Sequence, residues 1–294
     1  MAQGIPSTEE LKESAQRHLS AGRLRLAEAD YEAIESRVGN AERVVLWARA
    51  ARFALRLNRI GPGATDRAEL GKILLRSRDP TTITVAAASL SECLRSVCLQ
   101  KAVILAERSH SAAPPELRGD AAHNLGELLF VIGRHRTACR YLEEAIDNSS
   151  RNPIHRALSS GLLAYGHSLR GDRRATRAAV SSALVHAASL DDSPYSTAHQ
   201  LNIGFASAEL DLPDEALQRA DAALRTALTC ELADRVHLQR AALMLKGDSL
   251  LRLGNRELAR EAFSSLTATF VPGRSDVVEL LLQGNSSRFL NWLA

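Results

Sequence analysis

Aromatic side chains are scarce in this sequence, at 4%, and only Lys12, Lys72, Lys101 and Lys246 among its 37 basic residues are lysines. Few aromatics and a net charge of just +3 argue against a nucleic-acid reader, which needs stacking platforms and a continuous phosphate track. Long alternating runs of Val, Ile and Thr are missing, which excludes a sheet-based fold. No uninterrupted apolar stretch approaches the roughly 18–20 residues of a membrane-spanning helix, and Met1–Glu10 has no basic-then-apolar leader pattern. Cys93, Cys98, Cys139 and Cys230 form no C-x-x-C pair, so they read as reduced thiols of a cytoplasmic protein rather than a disulfide or zinc framework.

Catalytic signatures are equally absent. Phosphate loops, G-x-G-x-x-G, H-E-x-x-H and G-x-S-x-G do not occur. His123 and His135 flank one predicted helix, and His186 and His199 flank a predicted loop. None has a Cys or carboxylate at ligand spacing, so no metal and no cofactor are expected.

What is abundant is Ala and Leu, within a hydrophobic fraction of 45%. Both are strong helix formers, and Ala lets helices approach closely. The sequence also repeats itself. Ala15, Gly22, Ala27, Tyr31, Ile34 align with Gly126, Gly133, Ala138, Leu142, Ala145 and with Gly247, Gly254, Ala259, Phe263, Leu266. Each set has intervals of seven, five, four and three residues. The first position is a small residue where two helices meet, and the second ends the first helix in the left-handed conformation that glycine accepts. The third is the matching small residue on the second helix, and the last two belong to its buried stripe.

This pattern resembles the tetratricopeptide repeat, a helix–turn–helix unit. Asn124–Ile146, Asn202–Leu224 and Leu245–Leu266 match best. Leu162–Leu184 keeps Ala164, Gly171 and Ala183 but has Thr176 in place of Ala, and Ala102, Ala106 and Pro114 carry a weaker unit. Trp47–Leu75, with its enlarged turn Ile60–Gly61–Pro62–Gly63, is the weakest. Units beginning near Thr8, Val44, Ile83, Gly119, Ala157, Thr197 and Arg240 are spaced 36–43 residues apart. Such elongated units resemble those of bacterial peptide-sensing regulators and large ATP-binding LuxR-type activators, in architecture alone. The resemblance implies an all-α solenoid of about seven hairpins over residues 1–272. Residues 273–294 are expected to add a capping helix through Val277–Leu282 and an amphipathic tail, capped at Ser286 or Ser287, with Phe289, Leu290, Trp292 and Leu293.

The resemblance further implies a concave groove lined by the first helix of each hairpin, where relatives hold an extended peptide or a partner helix. Counting from each unit's start places Arg49, Arg52 and Arg56 there from the second unit, and Arg95 from the third. The fourth supplies His123, Asn124 and Glu127, the fifth Leu162, Tyr165 and Leu169, and the sixth Leu201, Asn202 and Phe205. The expected groove is basic toward its N-terminal half and apolar toward its C-terminal half. Asn124 and Asn202 fall where the family uses Asn to bond a peptide backbone. The two-carboxylate clamp of chaperone-tail adaptors is incomplete: Lys12 is followed by Gln16, and Arg52–Arg56 only loosely imitates its later element. A non-catalytic scaffold holding a peptide segment, with acidic groups suited to the arginines, is the leading expectation. A sensor of a small signalling peptide or metabolite comes second. A self-assembling scaffold joined through array ends or tail comes third, and an enzyme last.

Overall fold

The computed structural model describes residues 6–21, 23–37, 39–63, 65–149, 153–187, 190, 195–229, 235–270 and 275–284. Among them are fifteen α-helices, one 3-10 turn at Pro115–Leu117 and no strand. The chain divides into two compact units, residues 1–132 and 133–294.

The first unit holds α1 (Thr8–Ser20), α2 (Leu24–Ser36), α3 (Glu42–Ile60), α4 (Asp66–Arg76), α5 (Pro80–Arg95), α6 (Leu99–Ala112) and α7 (Arg118–Val131). The second holds α8 (His135–Asn148), α9 (Pro153–Leu169), α10 (Arg173–Ala187), α11 (Ser196–Glu209), α12 (Pro213–Thr229), α13 (Arg235–Arg252), α14 (Arg256–Ala268) and α15 (Ser275–Leu281). Within the first unit α1–α2, α3–α4 and α5–α6 pair, and within the second α9–α10, α11–α12 and α13–α14, with α15 as a final short helix. Within each unit the hairpins stack one on the next, a stretch of α-solenoid.

Local chemistry sets the helix ends. Ser7 accepts from the Glu10 amide while the Glu10 carboxylate answers the Ser7 amide, a capping box. Asp79 caps α5 by accepting from the Thr82 amide at 2.8 Å, with Pro80 preset in the first turn. Four hairpin turns close alike, an amide reaching back five residues: Arg23 to His18, Asp172 to His167, Leu212 to Ser207 and Asn255 to Leu250. The turn residue is left-handed in each of the last three. Gly171 and Gly254 adopt it freely, whereas the sixth hairpin uses Asp211, at φ 65°. Gly22, the corresponding residue of the first hairpin, lies outside the described residues.

The core follows the small–large pattern. A Cβ on Gly247 would stand 2.3 Å from the fully buried Phe263 ring, and one on Gly204 would stand 2.5 Å from Leu245. Only glycine lets α13 meet α14, and α11 meet α13, at this range. The enlarged turn of the second hairpin has its own solution. Asp66, fully buried at the start of α4, accepts from the Gly63 amide at 2.6 Å and from the Arg56 guanidinium, and α4 packs chiefly on α5. At the other end α15 lays Val278, Leu281 and Leu282 against Phe263 and Leu266, covering the last hairpin. The predicted tail, Phe289 to Leu293, and its caps Ser286 and Ser287 lie outside the described residues, as does Cys230.

Candidate functional site

The sequence-predicted lining residues fall into two chemical groups. In the first unit the arginines are engaged. Arg49 contacts Glu35 at 2.7 Å, and Arg52 contacts Glu35 at 3.0 Å and Glu32 at 3.7 Å. Arg56 braces Asp66, and Arg59 pairs with Glu28 at 2.8 Å. Glu28, Glu32 and Glu35 recur along one face of α2, so α2 and α3 meet through a ladder of opposite charges. Arg52 and Arg56 also lie over the Phe53 ring. On the neighbouring first helices, Arg95 of α5 reaches Glu127 of α7 at 2.7 Å and Glu92 at 3.6 Å, and His123, itself buried, stands 3.9 Å from Glu127. Each predicted arginine thus has a carboxylate partner in its own unit.

The amides and aromatics differ. Asn124 and Asn202 are half-buried, and among the described residues neither side-chain amide has a hydrogen-bond partner in the chain. In the second unit α9 and α11 lie side by side and bring Tyr165 and Phe205 into a stack, with centroids 5.3 Å apart and planes at 25°. Tyr165, Leu169, Phe205 and Glu209 sit one turn apart on these two helices, and Leu169 and Glu209 are exposed. Leu162 and Leu201 are buried beneath them as floor rather than as contact surface. Burial, and then the Glu209 charge, push the Tyr165 phenol up to about 12, so it stays neutral. Glu209 stands at the thirteenth place of its unit, the same count that found Phe205, and could have been read from it.

Below this face lies a polar knot. His199 of α11 is fully buried, its Nε2 at 3.2 Å from the Ala183 carbonyl of α10. Its Nδ1 edge faces α9, where a Cβ on Gly161 would come within 2.8 Å, and Nδ1 itself has no hydrogen-bond partner among the described residues. Burial drives the imidazole down to about 4, despite the carbonyls of Ala183 and Ala157, so it is neutral. His186, near Ser160 at 3.3 Å, is lowered by burial and by Arg156.

Burial raises the Cys93 thiol to about 11 and raises Cys139 as well, though Arg170 opposes the latter, leaving both unreactive. Among the described residues no group of three His, Cys, Asp or Glu could hold a metal ion, and no helix is long and apolar enough to cross a membrane.

No protein-family model matches the sequence, and no curated protein does either. Solved structures do. The Rap protein complexed with Competence and Sporulation Factor superposes with a TM-score of 0.67 at 13% identity, over 97% of this chain and 83% of that one. A chain of the APC/C hetero-tetramer Cut9–Hcn1 gives a TM-score of 0.67 at 14% identity, over 95% of this chain and 50% of that one. The present chain therefore spans about half the length of the latter. Shared architecture over nearly the whole chain, joined to the glycine–alanine hairpin pattern, decides the fold. It is the tetratricopeptide-repeat fold. A tetratricopeptide repeat protein from Parabacteroides merdae ATCC 43184 is also similar, with a TM-score of 0.47 at 13% identity over 94% of this chain and 97% of that one. In tetratricopeptide-repeat terms α9, α11 and α13 are first helices of consecutive hairpins, the class of helix that carries the Tyr165–Phe205 stack.

Proposed function

We propose that this protein is a non-catalytic interaction scaffold that holds an extended peptide segment of a protein partner on the first-helix face of its second unit. The observation that carries the reading is the half-buried Asn202 amide, without a partner among the described residues, beside the stacked rings of Tyr165 and Phe205. A half-buried amide at the surface offers a donor and an acceptor at the spacing of a peptide bond, and can exchange its water for a peptide backbone. Flanking aromatic and leucine side chains supply the apolar anchors that dominate binding energy. Asn124 offers the same chemistry on α7 of the first unit. Two similar folds belong to complexes, a Rap protein with Competence and Sporulation Factor and the Cut9–Hcn1 hetero-tetramer, which supports a holding role here. In this reading residues 1–272 form the holding array, residues 273–294 close its end, and the protein works in the cytoplasm.

The test is affinity co-purification from the source cells, comparing wild type with Phe205→Ala and Asn202→Ala. The partner, once identified and cut into fragments, is expected to bind through one short segment, with Phe205→Ala weakening it by at least about tenfold. Full retention by both variants, with helicity unchanged, would sink the assignment to this face.

A further inference from the structure

Beyond an amide and two rings, the face has a charge of its own, set by the C-terminal end of α11. We propose that the Tyr165–Phe205 stack and Glu209 together form a subsite for a cationic side chain, arginine or lysine, of the held segment. This rests on the peptide-holding reading above and names the partner's chemistry.

Four observations converge. Phe205 and Glu209 are one helical turn apart on α11, and Tyr165 stacks on Phe205 from α9, so a carboxylate stands at the edge of a paired ring surface. A guanidinium can lie flat on such rings while its fork meets the carboxylate; an ammonium uses the same two features less directionally. Glu209 is exposed and has no ion-pair partner among the described residues, yet its charge reaches the Tyr165 phenol. The nearby cations are tied elsewhere. Arg173 donates to the Leu210 carbonyl at 2.8 Å, and Arg252 donates to the Ala208 carbonyl at 2.8 Å.

The carboxylate at Glu209 is left unmatched as a result. Arg252 is shared between Asp248 at 2.9 Å and Asp211 at 3.6 Å. Arg252 is thus already answered by two carboxylates, while the Glu209 carboxylate is left without an ion-pair partner among the described residues. An acidic segment meets repulsion here, whereas a basic one gains both ring contact and charge. The arginines of the first unit do not alter this preference, since each is matched by a carboxylate within that unit.

Selection of short random peptides displayed against the full-length protein tests the subsite without a known partner. Wild type is expected to enrich apolar residues together with Arg or Lys at a fixed spacing from them. Glu209→Gln should keep the apolar pattern but cut the cation preference by about tenfold, and Glu209→Lys should replace it with Asp or Glu. Phe205→Ala should abolish selection altogether, with helicity retained. Identical cation enrichment in wild type and Glu209→Lys overturns the subsite alone, provided Phe205→Ala still abolishes selection. No enrichment by wild type, or indifference to Phe205→Ala, overturns the peptide-holding face and the subsite with it.

Discussion

The α2–α3 contact in the first unit and the α11–α13–α14 contacts in the second solve the same problem with opposite chemistry. In the first, Glu28, Glu32 and Glu35 meet Arg49, Arg52 and Arg59 across a half-buried seam. In the second, Gly204 and Gly247 let backbones close on Leu245 and Phe263. Long guanidinium arms tolerate small shifts of spacing and respond to salt. Glycine against a buried ring tolerates neither a methyl group nor a gap, and salt does not reach it. Neighbouring helices in these repeats can thus be closed on one another by different chemistry.

The largest effect should come from breaking the close contact. Phe263→Ala is expected to cost about 3–5 kcal/mol in chemical denaturation, and Gly247→Ala about 1–3 kcal/mol through overpacking. Gly247→Ala should cost much less when Phe263 is already Ala, because its methyl then enters the vacated space. Equal cost in both backgrounds would dissolve the claimed coupling.

Next comes acidity. The folded His199 value of about 4 lies below the unfolded imidazole near 6.5, so the unfolded state binds the proton first as pH falls. Stability is therefore complete above about 6.5 and declines toward 4, by roughly 2 kcal/mol between pH 6.5 and 5. His186 acts in the same direction. Hydrogen exchange of α9–α11 amides across that range reads the slope, which His199→Gln should flatten; an unaltered slope would clear His199 of responsibility.

Glu35→Gln, which deprives Arg49 and Arg52 together, should cost about 1 kcal/mol at low salt and shrink in 1 M NaCl. Phe263→Ala should show no such shrinkage, and a parallel salt response would erase the distinction between the two seams. Smallest is Asp211→Gly, expected to stabilise by about 0.5 kcal/mol because glycine adopts the left-handed turn without strain. A loss of melting temperature instead would show that the Asp211–Arg252 contact outweighs the backbone.

The hairpins were legible because their determinants are local and periodic. Gly171 and Gly254 turn where the spacing places them, and the predicted hairpins within each unit form as helix pairs. Asp211 escaped notice as a turn residue because its left-handed backbone has no signature beyond the missing glycine. The arginines were legible as a stripe, but their partners were not. Glu28, Glu32 and Glu35 form an equally regular stripe on α2, and only the stacking of one hairpin on the next brings the two together. The aromatic pair was read as two separate lining residues, and its stacking depends on the side-by-side distance of α9 and α11. That distance is set by the fit of Gly161 beneath His199, which no pattern in either helix announces.

The Gly247–Phe263 contact also bears on how this sequence can diverge. Surface positions on α13 and α14 can change one at a time, but these two are bound as a pair. A larger residue at 247 becomes heritable only after the ring at 263 has given way to something smaller. In descendants of this chain the two positions should therefore change together or not at all, a linked inheritance visible even where all other likeness has faded.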